Sequence, residues 1–192
     1  MKIFRIRKLE GFSLIELILA LVLLSTVILT AITVEVSMRK MQAKVQFKAD
    51  LLNELIPVVE KMKKDFKMQI GNLDYPGLYV DAGRNWFAVR VDADNSGTIT
   101  SGDEWHAYRW NTTVGDPLEY SPNNFTTPDL YDVIANNITY FMVYHPFGNS
   151  YNDTGLVINI GTRENPALPE DPVTNPGANL TTTVYSRMAS GH

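Results

Sequence analysis

Hydrophobic and polar positions divide this chain into three stretches of different period. After a short basic segment, Leu17 to Val34 runs 18 residues without a charge, and from Phe12 to Val34 the only charged residue is Glu16. At 1.5 Å per helical residue such a run crosses the ~30 Å hydrocarbon core of a bilayer. It is longer than the apolar region of a secretory signal peptide and is not followed by a small-x-small cleavage site, so the anchor is expected to remain in the mature chain. Next, Val45, Leu52, Val59 and Phe66 recur every seven residues with Leu55 and Met62 between them, flanked by Lys48, Glu54, Glu60, Lys61 and Lys63. That stripe predicts an amphipathic helix packed on a sheet. Pro57 removes one hydrogen bond and predicts a bend, unless one helix ends before it and a second begins.

Beyond Met68 the period falls to two and the residues become β-branched and aromatic. Asn85 to Val91, Trp105 to Trp110, Ile138 to Tyr144, Leu156 to Ile160 and Thr181 to Arg187 read as strands. The expected fold class is α+β: a long N-terminal helix, half membrane and half amphipathic, packed on a small antiparallel β-sheet head of four to five strands. Between the last two strands, Gly161 to Pro176 holds Pro166, Pro169, Pro172 and Pro176 and is expected to be an exposed extended loop.

Charge and composition narrow the function. The 192 residues carry a formal net charge of −4, and the basic residues Lys2, Arg5, Arg7 and Lys8 precede the apolar run, leaving the remainder more acidic still. This excludes a nucleic-acid surface as the expectation. There is no cysteine, so an exported domain would have to be held by its core or by a bound ion. The three histidines, His106, His145 and His192, lie far apart, and no nucleophile elbow, zinc-protease motif or phosphate loop is present. No enzyme is expected. Positive charges cannot set membrane orientation, because Arg39, Lys40, Lys44 and Lys48 after the run balance those before it.

The most specific stretch is Lys8-Leu9-Glu10-Gly11-Phe12-Ser13-Leu14-Ile15-Glu16. It resembles the leader junction of type IV prepilins and type II secretion pseudopilins, in which a prepilin peptidase cuts after the glycine and methylates the new terminus. The resemblance implies Gly11 and Phe12 as the processing residues. It also implies Glu16 as the assembly residue, paired in the polymer with the amino group of a neighbouring pilin or pseudopilin subunit. A carboxylate inside an apolar helix is costly and is normally paired or functional; snorkelling to the nearby interface is the alternative. The implied organisation is a cleaved leader at 1–11, a transmembrane and assembly helix at 12–35, an amphipathic helix continuing into the head at 36–68, and a β-sheet head at 69–192. The implied location is the inner (cytoplasmic) membrane with the head outside, then a pilus or pseudopilus in the periplasm or at the cell surface. The apolar run lacks the proline common in major pilins, and the chain lacks their disulfide loop. Both departures favour a minor pilin or pseudopilin, and the order of elements after residue 80 resembles minor pilin and J-type pseudopilin heads. The alternative is a non-polymerising, single-pass membrane-anchored calcium-binding surface domain.

An acidic loop lies between two of the strands. Asp92-Ala93-Asp94-Asn95-Ser96-Gly97-Thr98-Ile99-Thr100-Ser101-Gly102-Asp103 fits EF-hand loop spacing, with Asp103 where glutamate is usual and Glu104 beside it. Calcium takes six to eight oxygens, which Asp92, Asp94, Ser96, the Thr98 carbonyl and Asp103 or Glu104 could supply. The expected flanks are strands rather than helices, and a plain polar hairpin turn uses the same residue types.

Overall fold

The computed structural model describes residues 13–71, 77–122, 131–146, 155–171 and 174–185. The chain divides into two compact units, Met1–Ala43 and Lys44–His192. One helix, α1 (Leu14–Lys67), contributes to both and runs through Pro57 without a break. No second helix begins there. A proline inside an isolated helix costs ~3 kcal/mol through the lost hydrogen bond and the clash of its ring with the preceding turn, and the flanking residues Leu55, Val58 and Val59 are buried, so packing offsets it.

In the first unit the helix is bare. Leu14, Leu17, Leu21, Leu24, Ile28 and Ile32 are all at least half exposed. The four hydroxyls of the apolar run turn back on the helix: Ser25 donates to the Leu21 carbonyl, Thr26 to Leu23, Thr30 to Val27 and Thr33 to Leu29, at 2.6–2.8 Å. A hydroxyl bonded to its own helix adds no unsatisfied polar group to a surface placed in hydrocarbon.

In the second unit, among the described residues, eight strands form two antiparallel meanders. The first sheet has the order β1-β2-β3-β4-β5, from β1 (Leu78–Val80), β2 (Trp86–Val91), β3 (Glu104–Trp110), β4 (Leu118–Ser121) and β5 (Asp132–Ala135). The second has the order β6-β7-β8, from β6 (Ile138–Tyr144), β7 (Gly155–Arg163) and β8 (Gly177–Tyr185). The α+β class is as expected, but the strands form two sheets rather than one of four to five. The division falls at the corner Asn136–Asn137. There Asn137 adopts a left-handed φ of 55°, Thr162 donates its hydroxyl to the carbonyls of both corner residues, and the Asn136 amide donates to Glu54 of α1. Asparagine tolerates that conformation better than most residues, and the corner turns the chain from one sheet into the next.

The core lies between the helix and both sheets. Leu55, Val59, Met62 and Phe66 of α1 join Phe87, Val89, Tyr108, Leu118, Phe141 and Ile158 in one buried cluster. Phe87 and Tyr108 are register partners across β2 and β3, with rings stacked at 4.9 Å. Phe87 also meets Phe141 of the second sheet at 6.3 Å. The helical stripe is covered by the chain itself only in part: Val45, expected to face the sheet, is 61% exposed, and full burial begins at Leu55. After α1, residues 68–70 lie along β2, with the Ile70 amide on the Arg90 carbonyl at 2.9 Å and the Asp92 amide on the Met68 carbonyl at 3.0 Å.

The described residues of the stretch Gly161 to Pro176 are more ordered than an extended loop. Its first residues belong to β7, and Asp171 and Asn175 form a two-residue bridge. Asn175 is buried. Its amide nitrogen reaches the carbonyls of Asn165, Leu168 and Pro169 at 2.9–3.2 Å, and its oxygen accepts the Asn165 amide at 3.0 Å. Four prolines cannot donate in a ladder, so a side chain closes the loop instead.

Candidate functional site

The first candidate site is the start of α1. Gly11 and Phe12 lie outside the described residues. Glu16 sits in the first helical turn, where its carboxylate accepts the Ser13 amide at 2.9 Å while its own amide donates to the Ser13 hydroxyl at 3.3 Å. This reciprocal pair is a capping box, which satisfies two amides that have no partner inside the helix. The spacing Ser-x-x-Glu before an apolar run carries that signal, which the readings of Glu16 as an intersubunit acid or a snorkelling one both missed. The negative charge also lies at the positive end of the helix dipole.

The second is the hairpin between β2 and β3. One carboxylate oxygen from each of Asp92, Asp94 and Asp103 lies within 4.8 Å of the other two. The loop closes through hydrogen bonds to these acids: Ser96 and Gly97 amides donate to the two oxygens of Asp92, the Ser96 amide also to Asp94, and the Thr100 hydroxyl to Asp94. Hydrogen bonding by Ser96, through its side chain and then its amide, and by Thr100 holds the Asp94 carboxyl down at about 2. Asn95 and Gly97 take left-handed φ values of 53° and 70°, which lets the amides turn inward. Ser96 donates its hydroxyl to the Thr98 carbonyl at 2.9 Å. Asp103 accepts the Thr100 amide at 2.7 Å through Oδ2, which also lies 3.7 Å from Arg90 Nε. Its side chain is fully inaccessible, and Oδ1 has no hydrogen-bond partner. Glu104 is not part of this group: it stands on β3, its carboxylate 3.5 Å from His106 Nε2.

A third constellation joins α1 to β3. Asp65 of the helix is 5% exposed, and its Oδ2 receives His106 Nδ1 at 2.6 Å and the Tyr108 hydroxyl at 2.6 Å, with Lys61 Nζ at 3.7 Å. Burial pushes the Asp65 carboxyl up, but bonds from His106 and Tyr108 and the charges of His106 and Lys61 outweigh it, leaving it below its ordinary value. An ionised acid only accepts, so Nδ1 of His106 carries the proton. Burial, then the charge of Asp65, raises the phenols of Tyr108 and Tyr120, so both stay neutral and Tyr108 donates. Lys61 also lies over the Tyr120 ring at 4.0 Å. His106 turns inward, with 13% of its side chain exposed. The missed signal was Asp65 itself, an acid on the buried face of α1 between Met62 and Phe66, which demands partners.

These three arrangements can cap a helix, gather oxygen ligands and clamp a helix to a sheet. No family model matches the chain, and no curated protein matches it. Among solved structures it is similar to a type IV-like pilin from Thermus thermophilus, with a TM-score of 0.47 and 10% sequence identity over 71% of this chain and 97% of that one.

Proposed function

We propose that this chain is a processed pilin-like subunit, a minor pilin or pseudopilin. It assembles through its apolar N-terminal helix into a type IV pilus or a type II secretion pseudopilus. The observation that carries this is the junction Gly11-Phe12 followed four residues on by Glu16, the one charge in an otherwise bare apolar helical surface. An exposed apolar surface of this extent requires lipid or other helices. Prepilin peptidase cuts between Gly11 and Phe12 and methylates the new amine. The subunit rests in the inner membrane as a single span until it joins the polymer. There Glu16 pairs with the amine of a neighbouring Phe12, which neutralises a carboxylate that is costly against hydrocarbon and sets the register between subunits.

A second function, a membrane-anchored surface domain that never polymerises, is favoured by one observation. The capping box already gives Glu16 a partner within its own chain. Mass spectrometry of the amino terminus in assembled surface material separates the two. N-methyl Phe12 as the first residue supports the subunit; an intact Met1 terminus overturns it.

A further inference from the structure

The β2–β3 hairpin has an arrangement that helix assembly does not use. We propose that Asp92, Asp94 and Asp103 hold one calcium ion, with the Thr98 carbonyl and the Ser96 hydroxyl as further oxygen ligands, and that the ion pins this hairpin to the exit of α1.

Asp103 carries the inference. A fully inaccessible carboxylate whose Oδ1 accepts nothing forfeits a bond that burial makes expensive. It belongs to the one group of three acids whose oxygens lie within 4.8 Å of each other among the described residues. A cation ligated through Oδ1 would supply the missing partner. Arg90 does not do so, since its Nε faces Oδ2 at 3.7 Å and makes no hydrogen bond. One arginine against three carboxylates also leaves negative charge unbalanced. The amides on Asp92 and Asp94 do not compete, because each carboxylate oxygen has two lone pairs; they hold the oxygens facing one another.

Ligand number and kind select the metal. Three carboxylates with a carbonyl and a hydroxyl in one loop suit calcium, which takes six to eight oxygens in flexible geometry, whereas magnesium demands a near-ideal octahedron and keeps several waters. Asp103 in place of the usual glutamate has a shorter reach, which suits one-oxygen ligation and a weak site. Because the Asp92 amide bonds the Met68 carbonyl, one residue past α1, an ion on Asp92 stiffens the link from helix to sheet. This does not depend on polymerisation.

The test is calorimetric titration of the metal-stripped full-length chain in detergent micelles, with calcium chloride and, separately, magnesium chloride up to about 10 mM, beyond the ~10⁻⁴–10⁻³ M range of extracellular calcium modules. Saturable binding of about one calcium per chain, a calcium-dependent rise in melting temperature, and loss of both in Asp94→Asn are expected. Asp94 is exposed, so that variant should keep the wild-type circular dichroism spectrum. No calcium uptake at 10 mM, uptake of magnesium in preference, or undiminished calcium binding by Asp94→Asn overturns the proposal.

Discussion

Asp65 and His106, 41 residues apart in sequence, meet at 2.6 Å across the joint between α1 and β3. With the Tyr108 hydroxyl at the same distance on the same oxygen, one helical carboxylate is held by two neighbouring positions of a strand. The alternation of β3 would send His106 and Tyr108 to the same face, and the helix places Asp65 opposite them. Three residues therefore fix helix and strand in register, which apolar packing alone specifies loosely.

Removing one donor from that carboxylate should be felt. Tyr108→Phe keeps the ring that stacks on Phe87 but leaves the buried acid short of a bond, with an expected loss of about 1.5–3 kcal/mol. The denaturation midpoint of the full chain in detergent, followed by tryptophan fluorescence, measures it. A change under 0.5 kcal/mol would mean that the clasp is ornamental.

The same acid sets a pH dependence. The Asp65 carboxyl titrates below its unfolded value of 3.8, so its stabilisation is complete above that value and is lost as pH falls through the lower, folded one. Melting temperature should therefore drop below about pH 4 more steeply for the wild type than for Asp65→Asn. Parallel curves would show that other carboxylates dominate.

At the helix start, two substitutions separate capping from assembly. Ser13→Ala removes the hydroxyl cap at a cost of about 1 kcal/mol, yet should leave filaments intact. Glu16→Ala should still insert in the membrane but fail to enter filaments. Equal loss of filaments in both variants would reduce Glu16 to a cap.

The helical stripe divides in the same way. Leu55 is fully buried, so Leu55→Ala should cost about 2–5 kcal/mol. Val45, on the same stripe but mostly exposed, should change the stability of the single chain by less than about 0.5 kcal/mol when replaced by alanine. Chemical denaturation of the two variants side by side gives the comparison.

Where long apolar or alternating runs coincide with elements, the fold was legible. The stretch Ile138 to Tyr144 is β6, and the segments around Trp86, Trp105 and Leu156 fall within β2, β3 and β7. β1, β4 and β5 escaped because each is three or four residues long, too short for a period, and β4 is flanked by Pro117 and Pro122. The division into two sheets falls at the Asn137 corner, whose conformation no pattern of apolar residues encodes. At the candidate metal site the spacing of Asp92, Asp94 and Asp103 was visible along the chain. Glu104 shows the limit: adjacency in sequence placed it with the loop, whereas strand alternation turns it toward His106. Asp65 lay open to view, next to Phe66 of the apolar stripe, but its isolation on a buried face shows only once the helix is packed.

Asn175 closes its loop with an amide where many exported domains would place a disulfide. The closure involves no thiol chemistry, so it forms without an oxidant and persists in a reducing compartment. Hydrogen bonds of this kind break and re-form with local fluctuations, far faster than disulfide exchange, which takes seconds to hours. The loop before β8 can thus reach its final shape without an oxidase, and can open briefly and reclose afterwards without a catalyst.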